Sequence, residues 1–176
     1  MTRMMTVAMT CAMLAAPAAE QSRPDFAGSW THDLERSRAA TLAARAVGAS
    51  ATGSGGGSVA FSGRSRAPVV LNVTQRDGTL TIERVAGDRR TSTVYKLDGS
   101  ESVNTSGDLT TRMKSRWEGN TLVSEGTQVA TVNGQQRSVA IKEVRSIEPD
   151  GVLKVETILQ LPTGASRSVA IFGRNK

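Results

Sequence analysis

The sequence has one cysteine, Cys11, and one histidine, His32, in 176 residues. A lone thiol forms no internal disulfide, so the fold has to be held by burial, which a chain of this length can supply. A lone histidine means that zinc chemistry or a Ser-His-Asp arrangement would rest on His32 alone. Its neighbour Asp33 would point to the opposite face of a strand, so His32 reads as a structural residue. Aromatic residues are 3% of the chain, too few for the interfacial girdles of an outer-membrane barrel or the stacking platforms of a nucleic-acid binder. Lysine and arginine exceed aspartate and glutamate by 22 to 16, but they are scattered, as on solvated strand faces, and no nucleic-acid partner is expected. The stretch from Asp98 to Asp108, rich in Ser, Asn and Gly, reads as a loop and offers Asp98, Glu101, Asn104 and Asp108 as oxygen ligands without the spacing of a calcium loop. Catalytic residues, metal ligands and a cofactor site are all missing from the pattern, and enzymatic activity is not expected.

What is present begins with a leader. Arg3 precedes an apolar run from Met4 to Ala16, and Ala16-Pro17-Ala18 supplies the small residues of a cleavage site. Residues 1–18 therefore read as a signal peptide, with the mature chain secreted or periplasmic. The apolar run is shorter than the roughly 20 residues that cross a bilayer, and no later stretch approaches that length, so no transmembrane segment is expected in the mature chain. Removal of the leader also removes Cys11.

Residues 19–176 read as one domain, expected to be a monomer. After a first strand through Trp30, the run from Glu35 to Val47 is rich in Ala and Arg, with Asp33 placed to cap a helix that begins around Arg36. Its apolar stripe is thin, so the helix is expected on a surface. Residues 48–66, centred on Ser-Ala-Thr-Gly-Ser-Gly-Gly-Gly-Ser from Ser50 to Ser58, carry little to bury and read as a flexible insertion.

From Val69 to Phe172 β-rich runs alternate with turn residues. Asp77-Gly78 between Val69–Gln75 and Thr79–Val85 is a hairpin signal, because both residues accept positive φ. Asn133-Gly134, Pro149-Asp150-Gly151 and Pro162-Thr163-Gly164 punctuate the later strands. Short turns pair each strand with its sequence neighbour, and a meander of this many strands curls closed to remove its edges. The fold class is all-β: an antiparallel up-and-down meander of about 8–10 strands closed as a barrel, with one short helix after the first strand. A two-sheet sandwich is the alternative.

Pro24-Asp25-Phe26-Ala27-Gly28-Ser29-Trp30 resembles the Gly-x-Trp opening strand of the calycins, the group of lipocalins and fatty-acid-binding proteins. With Tyr95-Lys96-Leu97-Asp98-Gly99 and Trp117-Glu118-Gly119-Asn120-Thr121-Leu122-Val123, the chain is similar to uncharacterised secreted bacterial lipocalin-like proteins. The resemblance implies a barrel whose end is plugged by Trp30 packed against Arg174. It also implies that the helix after the first strand stands where fatty-acid-binding proteins carry a helical lid. The Arg and Tyr cluster that grips a carboxylate in those proteins has no recognisable counterpart in the sequence.

Alternation places Leu80, Ile82 and Arg84 on one face of a strand, and Val139, Ile141, Glu143, Arg145 and Ile147 on one face of another. If the apolar members face inward, Arg84, Glu143 and Arg145 form an internal ion-pair network or a polar grip for a ligand; bending of the strands would instead bring them to solvent at the rim. Together with Tyr95 and Trp117 they are the candidate ligand-binding residues. Arg112, Lys114 and Arg116 form a basic ladder on the face opposite Met113, Ser115 and Trp117, expected to be a solvated outer face. The function expected is binding of a small apolar or amphipathic ligand in the barrel. The alternative is a filled barrel that works through its surface as an envelope-associated interaction module.

Overall fold

In a computed structural model, residues 23–47, 68–132 and 134–176 are described; the expected leader and the insertion at 48–66 lie outside them. The elements are β1 (Gly28–Asp33), α1 (Leu34–Val47), β2 (Val69–Arg76), β3 (Thr79–Ala86), β4 (Arg89–Lys96), β5 (Glu101–Ser106), β6 (Leu109–Glu118), β7 (Thr121–Val132), β8 (Gln135–Ile147), β9 (Leu153–Leu161) and β10 (Gly164–Arg174). The sheet order is β4-β3-β2-β1-β10-β9-β8-β7-β6-β5, antiparallel throughout. It is a meander whose last strand returns beside its first, curled into a nearly closed barrel.

Period-two burial makes the strands. In β9, Leu153, Val155, Thr157 and Leu159 are buried while Lys154, Glu156 and Ile158 between them are half-buried. Asp77 and Gly78 turn the β2–β3 hairpin with φ of 51° and 69°, the conformation the Asp-Gly pair was expected to take. One strand escaped the sequence reading: β5 lies within the Asp98–Asp108 stretch read as a loop. Its inward residues are Ser102 and Asn104, paired with Met113 and Thr111 of β6, so no apolar alternation marks it.

Those same inward residues close the barrel. Instead of a backbone ladder between β4 and β5, the Asn104 side-chain amide donates to the Val94 carbonyl at 2.9 Å and accepts from the Val94 N–H at 2.8 Å. Ser102 Oγ accepts from the Lys96 N–H at 2.7 Å. Edge groups that would otherwise be unpaired are thereby satisfied from the neighbouring strand.

The helix starts where expected, with Asp33 Oδ1 accepting the Arg36 N–H at 2.9 Å. It is not laid across the barrel mouth as a lid. β1 ends opposite Ile171, and from there α1 runs along the edge of β10 that β1 leaves uncovered. The Ile171 N–H donates to Ser37 Oγ at 2.8 Å, the Val169 N–H to Thr41 Oγ1 at 2.9 Å, and Arg45 Nε to the Arg167 carbonyl at 3.1 Å. Four helical residues rise about 6 Å and two strand residues about 6.7 Å, so one side chain per helical turn meets every second residue of the strand. Ala40 and Ala44 pack on Val152, Val169 and Ile171, the outward side of β10. The packed face is thus one of small residues, Ser37, Ala40, Thr41 and Ala44, whereas Ala39, Leu42 and Ala43, the apolar residues on which the sequence stripe rested, are exposed, Leu42 at 68%.

Candidate functional site

The inward faces of the strands divide the barrel into two halves. At the end bearing the β2–β3, β4–β5, β6–β7 and β8–β9 turns, Trp30, Leu80 and Leu122 are 0% exposed, and Phe26, Leu153 and Phe172 are 1% exposed. Trp30 Nε1 donates to the Phe26 carbonyl at 2.9 Å. The Arg174 guanidinium lies 4.4 Å over the Trp30 ring and donates to the carbonyls of Ala27 at 3.1 Å and Asp25 at 3.4 Å. A cation on an aromatic face contributes about 0.5–1 kcal/mol at a partly exposed site. Trp30 and Arg174 thus seal this end together.

Toward the other end the inward residues become accessible. Val69, Thr93, Thr111, Gln128, Val139 and Leu161 are all half-buried, although Val69, Val139 and Leu161 still pack on the main core and Gln128 reaches Thr111. Strand alternation puts them all on the lumen side. Among the described residues the lumen is a cup, packed toward one end and half-exposed toward the other, with a wall of mixed polar and apolar side chains.

A polar strut crosses the barrel between the two halves. Tyr95, on β4, donates its hydroxyl to Glu143 Oε2, on β8, at 2.8 Å. Arg145 Nη2 donates to the Tyr95 hydroxyl at 2.7 Å and to Glu143 Oε2 at 2.8 Å, and its guanidinium lies 4.3 Å over the Tyr95 ring. The Arg145 side chain is 4% exposed and that of Glu143 15%. Burial pushes the Tyr95 phenol above its usual range, and the phenol stays protonated. Burial by itself would lower the Arg145 guanidinium, but the Glu143 carboxylate and Tyr95 outweigh it and hold Arg145 above its ordinary value. Beside the strut, Ser115 and Ser124, both 0% exposed, bond to each other at 2.7 Å.

Of the five candidate ligand-binding residues, then, Tyr95, Glu143 and Arg145 are brought together in the lumen and form the internal network that alternation allowed. Arg84, on β3 opposite Leu71, is half-buried; burial lowers its guanidinium. Trp117 belongs to the sealed end rather than the open half. It stacks on Phe26 at 5.7 Å, with the rings 4° from parallel, and borders an outer groove of about 430 Å³ with Arg23, Gln75, Arg76, Asp77 and Asp98. Its place follows from its position near the end of β6, two residues before the β6–β7 turn.

The other sequence candidates have structural surroundings. His32 is held at Nε2 by Ser37 Oγ at 2.9 Å and lies 5.0 Å from the Phe172 ring. Burial, and then the positive charge of Arg84, lower its pKa, with Asp33 opposing. Among the described residues no group of three His, Cys, Asp or Glu side chains could hold a metal ion. Asp98 accepts from Ser100, Glu101 pairs with Arg112 at 3.1 Å, and Asn104 is spent on the β4–β5 seam. The basic ladder faces outward and is interleaved with acids: Arg116 pairs with Glu118 at 2.6 Å and Glu125 at 2.7 Å, and Glu125 also pairs with Lys142 at 2.7 Å. These neighbours hold the Glu125 carboxyl down at about 2. A single-sign field is absent from this patch of the described surface.

Sequence reasoning missed the seam residues Ser102 and Asn104 and the buried Ser115–Ser124 pair. The available signal was a polar residue recurring on an otherwise apolar strand face, as Ser115 does between Met113 and Trp117.

No protein-family model matches the chain, and no curated protein matches it. Solved structures do. One is a secretary abundant heat soluble (SAHS) protein from Ramazzottius varieornatus, with 11% identity and a TM-score of 0.52, covering 85% of this chain and 95% of that one. Another is a zebrafish ileal bile acid-binding protein complexed with cholic acid, with 12% identity and a TM-score of 0.50, covering 85% and 98%. A third, described as a REP1-NXSQ fatty acid transporter, has 14% identity and a TM-score of 0.47, covering 85% and 96%. The first two likenesses are likenesses of fold, and they support a lipocalin-like barrel fold.

Proposed function

We propose that this protein is an extracytoplasmic carrier that holds a small apolar or amphipathic molecule in the open half of its barrel, and that it acts by binding and not by catalysis. The observation that carries the reading is the division of the lumen. Inward residues are sealed from Trp30 up to the Tyr95–Glu143–Arg145 strut, Met113, Ile141 and Leu159 in the row beyond it are still buried, and toward the far rim Val69, Thr93, Thr111, Gln128, Val139 and Leu161 become half-exposed, while Glu143 itself keeps 15% of its side chain accessible. A concave site with mostly apolar walls and a few converging polar groups is the form of a small-molecule site. Tyr95, Glu143 and Arg145 make its floor, and Arg84 stands on its wall. The zebrafish protein of similar fold is described with cholic acid, which supports a small-molecule occupant for a barrel of this form. Export rests on the leader in residues 1–18, and no helix among the described residues is long and apolar enough to cross a membrane.

Two observations weigh against catalysis and against a surface module. The His32–Ser37 contact resembles a nucleophile and base, but the Ser37 hydroxyl already accepts from the Ile171 N–H and bonds the Asp33 carbonyl, so it is committed to backbone. The basic ladder is neutralised by Glu118, Glu125 and Glu101, which removes most of its pull on an anionic surface.

Titration of the mature protein with a fluorescent fatty-acyl probe and with an anionic polymer, each at about 50 and about 200 mM salt, tests the reading. The acyl probe is expected to bind at both salts, because its driving force is removal of apolar area from water. Absence of probe binding at micromolar protein, with salt-sensitive binding of the polymer, would replace the carrier by an interaction module.

A further inference from the structure

The floor of the cup has a polarity that fixes which headgroup it takes. Arg145 is the obvious anion receptor, yet its charge is already matched by Glu143 at 2.8 Å. Its remaining nitrogens, Nε and Nη1, have no hydrogen-bond partner and are sealed from the lumen, each with under 1 Å² accessible. Glu143 is arranged the other way. Its Oε2 receives both the Tyr95 hydroxyl and Arg145 Nη2. Among the described residues no donor reaches Oε1, and this oxygen is not among the sealed unpartnered atoms. The accessible, unmatched group of the strut is therefore an acceptor, not a donor.

Resting on the carrier reading, we infer that the site selects a neutral amphiphile bearing a hydrogen-bond donor, such as a hydroxyl, which docks on Glu143 Oε1, and that it discriminates against a carboxylate. A ligand hydroxyl would complete the one open position of a buried carboxylate, and a hydrogen bond to a charged group is worth more than one between neutral groups. A ligand carboxylate would place a second negative charge against Glu143 in a poorly solvated space, and like charges there are costly. Arg84, on the wall across Leu71 from Trp30, opposes protonation of His32 and lies outside the strut; its charge is unchanged in the double variant below, so any pull it exerts on a carboxylate is common to both proteins.

The test is displacement of Nile red, a neutral apolar dye, by dodecanol and by dodecanoate at neutral pH. Wild-type protein is expected to release the dye at an about tenfold or lower concentration of alcohol than of carboxylate, the equivalent of one charged hydrogen bond. Because the alcohol is also the more apolar molecule, the control is the double variant Glu143→Gln/Arg145→Met. Removing both charges of a buried pair is tolerated far better than removing one. In this variant the preference is expected to shrink to about threefold or less. Dodecanoate binding as tightly as dodecanol, or a preference undiminished in the double variant, overturns the inference and leaves the carrier reading standing. Failure of the wild type to take up Nile red or either competitor overturns the carrier reading itself.

Discussion

Replacing Gly126 by alanine should unfold this barrel more readily than replacing Gly173, although the sequence gives no reason to treat the two differently. Each is a lone glycine inside a strand, Gly126 opposite Met113 on β6 and Gly173 opposite Thr31 on β1. A Cβ on Gly126 would lie well inside contact distance of the Arg112 carbonyl oxygen, and 2.8 Å from both that carbonyl carbon and Met113 Cα. All three are backbone atoms, so no side chain can swing aside. The β6–β7 ladder would have to part locally, and overpacking of this kind costs about 1–3 kcal/mol or more; with backbone as the obstacle, the upper end is expected. A Cβ on Gly173 meets nothing within 4 Å, and loss of unfolded-state freedom should leave that variant unchanged or more stable by about 0.4–1 kcal/mol. For a domain of this size about 3 kcal/mol corresponds to a fall of roughly 6–12 °C in Tm. Urea and thermal denaturation, followed by the fluorescence of Trp30 and Trp117, would measure both variants. Equal midpoints for Gly126→Ala and Gly173→Ala would refute the close approach of β6 and β7 that the reasoning depends on.

Thr41→Val keeps the shape of the side chain but removes the hydroxyl that serves both the N–H and the carbonyl of Val169. A loss of about 1–3 kcal/mol is expected, with hydrogen exchange of the Val169 amide accelerated; unchanged exchange there would mean that the helix does not cover the β10 edge. His32, lowered by burial and by Arg84 from an ordinary 6.5, gives a pH dependence. In the folded state it resists a proton that the unfolded chain accepts, so its contribution is complete above about 6.5 and is lost as pH falls below that value. The denaturation midpoint should therefore drop on the acid side of about 6.5, before the carboxylates titrate, and His32→Gln should flatten this part of the profile. A wild-type midpoint that is constant over that window would count against a half-buried histidine held neutral.

The hairpins and the helix were legible because they follow from local chemistry. Asp77-Gly78 tolerates positive φ whatever surrounds it, Asp33 caps from within its own turn, and alternation along β9 is a property of the strand alone. The same alternation put Glu143 and Arg145 on one face with Ile141. Partnership was another matter. Tyr95 lies 48 residues from Glu143, and only closure of the meander brings β4 across the lumen from β8. β5 stayed hidden because its inward positions, Ser102 and Asn104, are polar, and their value lies in bonds to β4 that exist only once the barrel curls. Trp117 could be assigned to a face from the sequence but not to a height, and its height puts it with the plug and outside the cup. A sequence thus records which side of its own strand each residue occupies, since that depends on a period of two. Register, curvature and closure arise from pairings between distant strands, and they decided that Tyr95, Glu143 and Arg145 meet inside this barrel.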